Sequence, residues 1–125
     1  MGVRTRSAGE VQILELSGDF TAVSGKAPRP VDLQGRPLED LGQILTGLLD
    51  RGHRSIVLDL SRVGFVDSAG LGELVACKKR TVERGGDIKL LHPSGHVHKL
   101  LVMTLLTQLF EVFTDEAKAL SSFSS

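Results

Sequence analysis

The feature that most constrains the fold is a short, almost continuous apolar run, SIVLDL, at residues 55–60. A strand whose apolar character is broken only by Asp59 is typical of the centre of a sheet that is covered on both faces. Apolar residues at helical spacing precede this run, from Pro37 to about residue 51, and follow it from about residue 69. Strands that alternate with amphipathic helices indicate parallel neighbours joined by right-handed crossovers, and therefore an α/β fold.

The remaining patterns complete this sheet and its helical cover. VQILEL at 11–16 and IKLL at 88–91 predict two further strands, and residues 3–7 an extra edge strand. Ser94 is suited to cap a third helix, and a short terminal helix is expected within 111–120. The inner face of the third helix is predicted to consist of Val97, Leu100, Leu101 and Thr104. The pattern predicts a small mixed, mainly parallel central sheet of four to five strands flanked by about four helices.

The length of 125 residues predicts a single domain, residues 1–125. Residues 19–37 hold three of the four prolines and have no hydrophobic period, which indicates a long loop. Its central part, 22–36, is interpreted as a flexible loop insertion, and the serine-rich end, 121–125, as a frayed tail. The insertion is not expected to contribute to the packed core.

Composition argues against several classes of function. Fifteen Lys and Arg balance fifteen Asp and Glu, so no net charge recruits nucleic acid or an anionic membrane. The longest apolar stretches are far shorter than the roughly 20 residues that span a bilayer, and the first ten residues are not expected to be a secretory signal because no apolar run follows their charges. Cys77 is the single cysteine, and no Cys/His spacing resembles a zinc site. We expect a cytoplasmic protein without a cofactor, which binds neither nucleic acid nor a membrane.

A small polar turn, Asp67-Ser68-Ala69-Gly70, follows the central strand and leads into the second helix. In open sheets of this kind, functional residues gather beyond the carboxyl ends of the parallel strands. The turn and the loop after strand 11–16 are therefore expected to be neighbours. Ser68 could cap the helix, act as a nucleophile or carry a modification.

The surrounding residues do not support the three possible roles of Ser68 equally. The capping-box partner position holds Leu71 rather than Glu or Gln. A G-x-S-x-G nucleophile elbow would need glycine where Val66 stands, and no histidine spacing points to Ser68. Catalysis is therefore not predicted. An exposed serine at a helix start can hold a phosphoryl group, because free amides and the helix dipole stabilise an anion there.

The stretch IVLDLSRVGFVDSAGLGEL at 56–74, followed by Gly85-Gly86, an apolar strand and LLVMTLLTQLFEVFTDEAKAL, resembles the STAS domain of the bacterial anti-sigma factor antagonists. The resemblance implies that Ser68 is phosphorylated by a cognate anti-sigma factor, a serine kinase with a histidine-kinase-like ATPase fold. It also implies that the unphosphorylated protein sequesters this kinase and frees the sigma factor, and that a PP2C-type phosphatase resets the switch. Such a protein would be a monomer or a weak dimer. The recognition surface implied by the family consists of Asp67, Ala69, Gly70, Leu71 and Gly72.

The sequence departs from the family pattern after Gly18. Family members have a G-x-L-D turn there, whereas this chain has GDFT, with Asp19 in the turn and Thr21 at the place of the family's Asp. The loop that follows is longer by about a dozen residues, and such loops are uncommon unless they act or are flexible. Because it should border Ser68, Asp19 and Thr21 are included in the predicted partner surface. An alternative function is a STAS scaffold or adaptor, stressosome-like or associated with lipid transport, without an obligatory serine switch.

Other polar groups have both a functional and a structural interpretation. Asp59 and Asp67 could hold Mg²⁺, but we expect them to satisfy backbone donors and to shape the turn. Cys77 is interpreted as a small packing residue rather than a redox sensor. The basic run at 78–80 is interpreted as a solvated helix face that could also contact an acidic kinase surface. The histidines expected to be solvated rather than to bind a metal are His92, His96 and His98.

Overall fold

The computed structural model describes residues 2–20 and 41–123, and its five strands form one sheet in the order β1 to β5. The strands are β1 (Gly2–Ala8), β2 (Val11–Phe20), β3 (Ser55–Val66), β4 (Asp87–Leu91) and β5 (Val112–Phe113). β1 pairs with β2 in an antiparallel hairpin, and the other three pairings are parallel. β3 lies in the centre with residues 56–60 buried, as the apolar run predicts.

Four helices and one 3₁₀ turn accompany the sheet in the described part of the chain. They are α1 (Leu41–Asp50), α2 (Ser68–Glu83), α3 (Gly95–Met103), the 3₁₀ turn Leu106–Gln108 and α4 (Glu116–Ser121). Ser94 caps α3 as predicted, because its hydroxyl accepts a hydrogen bond from the Val97 amide. The predicted mixed, mainly parallel α/β sheet is therefore confirmed. Within residues 2–20 and 41–123 no helix has the length and apolar character to cross a membrane.

The sheet separates a large apolar core from a small one. Val57 and Leu58 belong to different cores, because side chains of successive strand residues point to opposite faces. The large core lies between the sheet and helices α1, α2 and α3; it includes Leu45, Leu58, Leu74 and Leu101. The small core packs Val11, Ile13, Val57 and Leu91 against Ala119 of α4. Burying each of these leucines fully contributes about 1.5–3 kcal/mol relative to exposure.

Two strands are longer than the sequence predicts. β2 runs to Phe20 rather than to residue 16, and β3 runs to Val66 rather than to residue 60. The two strands remain paired to their ends, with one register shift after Glu15 and another after Gly18. Such bulges interrupt the two-residue alternation of side chains, so the apolar pattern no longer marks these strand ends.

One position of α3 differs from its predicted environment. Val97 and Leu101 are buried, as expected, and Leu100 is half-buried. Thr104, predicted to face inward, is exposed at the C-cap, and its hydroxyl donates to the Leu100 carbonyl at 2.7 Å. The helix ends at Met103, so helical spacing no longer sets the direction of the next side chain.

The C-terminal segment remains packed against the protein beyond residue 121, although its serine-rich composition predicts a frayed tail there. Ser121 ends α4, and Phe123 packs against the small core. Lys89, only 5% exposed, donates a hydrogen bond to the Ser122 hydroxyl, and its Nζ lies 4.4 Å from the centre of the Phe123 ring. The packed contacts extend to Phe123 because the buried ammonium group of Lys89 binds the two residues that follow α4. Residues 124–125 lie outside the described residues, as do the predicted insertion 22–36 and the predicted helix start at Pro37.

An ion pair ties the edge strand β1 to α4. Arg6 donates hydrogen bonds to both carboxylate oxygens of Glu116, and its Nε lies 3.7 Å from the carboxylate of Glu15. The hydrogen bond from Arg6 lowers the pKa of Glu116 below its ordinary value, and the same bond raises the pKa of Arg6. Both side chains are more than a third exposed, so the pair contributes at most about 1 kcal/mol to stability.

Candidate partner-binding site

A two-stranded extension of the sheet carries the turn that contains Ser68. β4 pairs with β3 only as far as Asp59, whereas β2 stays paired with β3 up to Val66. The end of β2 therefore lies beside the Ser68 turn, because Phe20 and Val66 are partners in the sheet. Asp19, one position earlier, pairs with Phe65. Thr21 falls in the segment that the structure does not describe.

Asp67, and not Ser68, caps helix α2. The backbone of Asp67 is extended, with φ −96° and ψ −178°, and its Oδ1 accepts a hydrogen bond from the Gly70 amide at 2.8 Å. The Asp67 carbonyl accepts a hydrogen bond from the Leu71 amide at 2.9 Å. Ser68 therefore does not cap the helix, which was one of the three roles that the sequence left open. The Asp67 cap was not predicted from the sequence, although aspartate is a favoured cap residue and Asp67 stands directly before the helical pattern.

Ser68 is the first residue of α2, and its side chain is exposed. Its hydroxyl makes no hydrogen bond within the part of the chain that the structure describes. The amides of Ser68 and Ala69 precede the first intrahelical bond, so they have no acceptor within the helix. The first turn also lacks acidic side chains. An anionic group attached to the Ser68 hydroxyl would therefore meet amide donors and the positive end of the helix dipole.

The two glycines of this turn have opposite environments. Gly70 is buried, whereas Gly72 is exposed, and a Cβ placed on Gly72 would meet no atom within 4 Å. Gly72 does not have a positive φ, so its backbone could carry any residue. Between them, Leu71 is half-buried and packs against the large core. The described part of the fold therefore does not require glycine at position 72, and the missing side chain leaves the backbone of the helix uncovered there.

An aromatic pair that the sequence did not reveal lies next to this turn. The rings of Phe65, near the end of β3, and His96, in α3, stack with their centroids 5.9 Å apart and their planes 16° from parallel. Phe65 is 46% exposed, although it is large and apolar. The pair therefore adds an exposed aromatic surface two residues before Asp67, and it connects α3 to the same edge of the sheet. No periodicity marked Phe65, because β3 was expected to end before it.

Cys77 and part of the basic run serve the fold. Cys77 is fully buried, which agrees with a packing role. Lys78 forms an ion pair with Asp87, and its Nζ lies 5.8 Å from the centre of the Phe110 ring. Residues 79 and 80 of the same run are exposed. Within the basic run at 78–80, only residues 79 and 80 are therefore available to contact a partner.

The residues considered as metal ligands are dispersed. Asp59 accepts a hydrogen bond from the Ser61 amide at 3.0 Å, so it serves a backbone donor as expected. His92, His96 and His98 are all exposed. Across residues 2–20 and 41–123, no group of three or more His, Cys, Asp or Glu side chains is placed to hold a metal ion.

Comparison with known sequences identifies the family. A model of the STAS domain matches residues 33–119. The anti-sigma F factor antagonist of Paenibacillus polymyxa is 33% identical over 66 residues, which are 53% of this chain and 56% of that protein. The anti-sigma-B factor antagonist of Staphylococcus aureus is 30% identical over 73 residues, 58% of this chain and 68% of that protein. The chain thus spans between half and about two thirds of these two relatives, whose names describe regulators rather than enzymes.

Solved structures share the fold over nearly the whole chain. An anti-sigma factor antagonist from Mycobacterium paratuberculosis superposes with a TM-score of 0.77 at 21% identity, over 99% of this chain and 94% of that one. The Bacillus cell fate determinant SpoIIAA in its phosphorylated form superposes with a TM-score of 0.62 at 18% identity, over 94% of this chain and 96% of that one. At identities this low, the superpositions show that the fold is shared. Membership of the family is shown by the matched family model and by the sequence relatives. The chain belongs to the STAS domain family, among the bacterial anti-sigma factor antagonists.

Proposed function

We propose that the protein antagonises an anti-sigma factor of the serine-kinase type, and that phosphorylation of Ser68 controls this binding. The observation that carries the proposal is the exposed Ser68 hydroxyl at the start of α2, which has no hydrogen bond in the described part of the chain. Asp67 provides the cap, so modification of Ser68 does not remove an interaction that holds the helix. The fold neighbour SpoIIAA exists in both an unphosphorylated and a phosphorylated form, which supports a fold that tolerates a phosphate.

The same phosphate has opposite effects on the free and the bound protein. It adds a charge of about −1.5 to −2 and three acceptor oxygens. In the free protein, water, helix amides and the helix dipole stabilise this charge. In the complex, the partner would have to desolvate the phosphate beside Gly72 and Leu71, the surface through which close approach occurs. Phosphorylation therefore lowers affinity without unfolding the site.

The proposed cycle has two enzymes, neither of which is this chain. The anti-sigma factor transfers the γ-phosphoryl group of ATP to the Ser68 oxygen, the hydroxyl loses its proton and ADP leaves. A PP2C-type phosphatase uses water to release inorganic phosphate and restore the hydroxyl. Unphosphorylated protein then binds the anti-sigma factor, and the sigma factor is freed. Because the cycle consumes ATP and acts on transcription, we place it in the cytoplasm.

The test combines phosphopeptide mapping with titration calorimetry against a kinase-type anti-sigma factor from the same genome. Ser68→Ala should block phosphorylation and keep the native affinity. Ser68→Asp should keep the fold and bind at least about tenfold more weakly, which corresponds to about 1.4 kcal/mol. Lys118→Gln is the control, because it also lowers the net charge by one but lies on α4, across the sheet from the large core.

Two results would contradict the proposal. The phosphate could map to a residue other than Ser68, or Ser68→Asp could bind as tightly as the native chain and Lys118→Gln. Either result would leave a constitutive scaffold as the better account of the protein. Melting curves of the variants show whether any loss of affinity comes from unfolding.

A further inference from the structure

The end of α3 and the turn after it carry an apolar patch on the protein surface. Val102 is 48% exposed, Met103 69% and Leu105 63%. We call these three residues the α3 patch. Single exposed apolar side chains are common, but adjacent large ones are typical of interaction sites. Methionine is especially suited to such a surface, because its flexible side chain adapts to a partner.

The backbone at Leu105 indicates that this exposure is not incidental. Leu105 is in the left-handed conformation, with φ 63° and ψ 16°. Its amide donates to the Val102 carbonyl and its carbonyl accepts from the Gln108 amide, both at 3.1 Å, so the turn holds the residue in place. Asparagine or glycine would adopt this conformation more easily than leucine. The left-handed turn ends α3 in a way that is common for helices, but folding does not explain why a bulky apolar residue in contact with water occupies it.

The segment around the patch contains no acidic residue. Residues 88–110 lack Asp and Glu, although the whole chain has as many acidic as basic residues. On α3, Lys99 is exposed, and no carboxylate among residues 2–20 and 41–123 lies within ion-pair distance of it. His96, Lys99 and Met103 are spaced by three and four residues, so they lie along one face of the helix. This face combines apolar surface with an unneutralised positive charge.

The same face leads back to the Ser68 turn. His96, at its amino end, stacks on Phe65, which lies two residues before Asp67. From His96 to Met103 the helix rises by about 10 Å. A partner bound at the turn can therefore continue along α3 to the patch without crossing the sheet.

We propose that α3 and the α3 patch form a second docking surface for the anti-sigma factor, and that they receive an apolar segment of that partner which carries acidic residues. The proposal rests on the function proposed above, because it names what the same partner contacts beyond Ser68. Charge complementarity selects an acidic segment. An anionic membrane fits less well, since membrane recognition of this kind uses clusters of roughly four to eight basic residues, whereas this face has a single lysine.

The Ser68 turn and the α3 patch should respond differently to phosphorylation of Ser68. Ser68 begins α2, whereas the α3 patch lies at the carboxyl end of α3 and in the turn after it. The phosphorylated protein, or Ser68→Asp, should therefore retain a residual affinity that depends on Met103, Leu105 and Lys99.

The test is titration calorimetry against the anti-sigma factor used for Ser68, at low and at moderate salt. Met103→Gln with Leu105→Asn should weaken binding at least about tenfold, while asparagine preserves the left-handed turn. Lys99→Glu should weaken binding by about fivefold at low salt and by less at moderate salt, because salt screens an exposed charge. The apolar control is Val82→Gln, since Val82 is 52% exposed near the far end of α2. The charge control is Lys118→Glu on α4.

The outcomes distinguish this inference from the proposed function. If the α3 variants bind like their controls while Ser68→Asp binds weakly, the second surface is wrong and the switch stands. If the α3 variants bind weakly while Ser68→Asp binds like the native chain, the surface stands and the switch is wrong. A native chain that does not bind the anti-sigma factor refutes both. Binding of the native chain to phosphatidylglycerol vesicles, with loss in Met103→Gln, would replace the protein partner by a membrane.

Discussion

Gly72→Ala is a change for which the structure predicts opposite effects on stability and on binding. Gly72 is the fifth residue of α2 and is exposed. Its backbone does not use the conformational freedom of glycine, and an added Cβ meets no atom within 4 Å. The substitution therefore removes no contact within the described part of the protein and introduces no clash there.

The gain in stability can be estimated from helix propensity. Glycine in a helix interior is about 0.8–1.0 kcal/mol less favourable than alanine. Measured Gly→Ala gains at compatible sites are about 0.4–1 kcal/mol, mainly because the unfolded chain loses conformational freedom. We expect the free energy of unfolding to rise by about 0.5–1 kcal/mol. For a domain of this size, Tm should then rise by about 2–5 °C.

Binding should change in the other direction. A methyl group on the exposed side of α2 holds the partner's backbone away, so affinity for the anti-sigma factor should fall at least about fivefold. Gly47→Ala is the matched control, because Gly47 is also helical, its Cβ would lie 3.9 Å from Arg51 Nη2, and it faces the cleft between α1 and β1. That variant should gain similar stability and keep its affinity. A destabilised Gly72→Ala would refute the described helix start, and an affinity equal to that of Gly47→Ala would refute close approach at Gly72.

Two further predictions concern stability alone. Asp67→Ala should lose about 1 kcal/mol in urea unfolding because it removes the α2 cap, and Ser68→Ala should lose clearly less; equal losses would contradict the cap assignment. Arg6 lowers the pKa of Glu116, so the ion pair stabilises the fold above the unfolded-state pKa of that carboxyl, and this contribution disappears as the pH falls through the folded-state pKa. The native chain should exceed Glu116→Gln in unfolding free energy by less than about 1 kcal/mol at neutral pH and match it in acid. A difference that does not shrink as the pH falls through the acidic range would show that the ion pair is not its source.

The central part of the fold could be predicted from sequence because burial leaves a strong pattern. The apolar run at 55–60 identified the central strand, and helical spacing identified the start of α2 to within one residue. The extension of β3 to Val66 could not be predicted, since residues 61–66 are partly exposed and their pairing with β2 contains bulges. Phe65 was missed for the same reason. Exposed residues are not constrained by packing in the core, so the hydrophobic pattern of a single sequence carries little signal for them.

The proposed switch assigns a different residue of the turn to each of three tasks. Asp67 caps the helix, whereas the proposal assigns the modified hydroxyl to Ser68 and the approach of the partner to Gly72, so the three tasks do not share a side chain. If Ser68 were the cap, phosphorylation would disturb the helix start, and loss of binding could not be separated from loss of structure. With Asp67 as the cap, the variants should give three different signatures. Asp67→Ala lowers stability, Ser68→Asp lowers affinity at nearly constant stability, and Gly72→Ala lowers affinity while stability rises; a passive surface loop would produce none of these combinations.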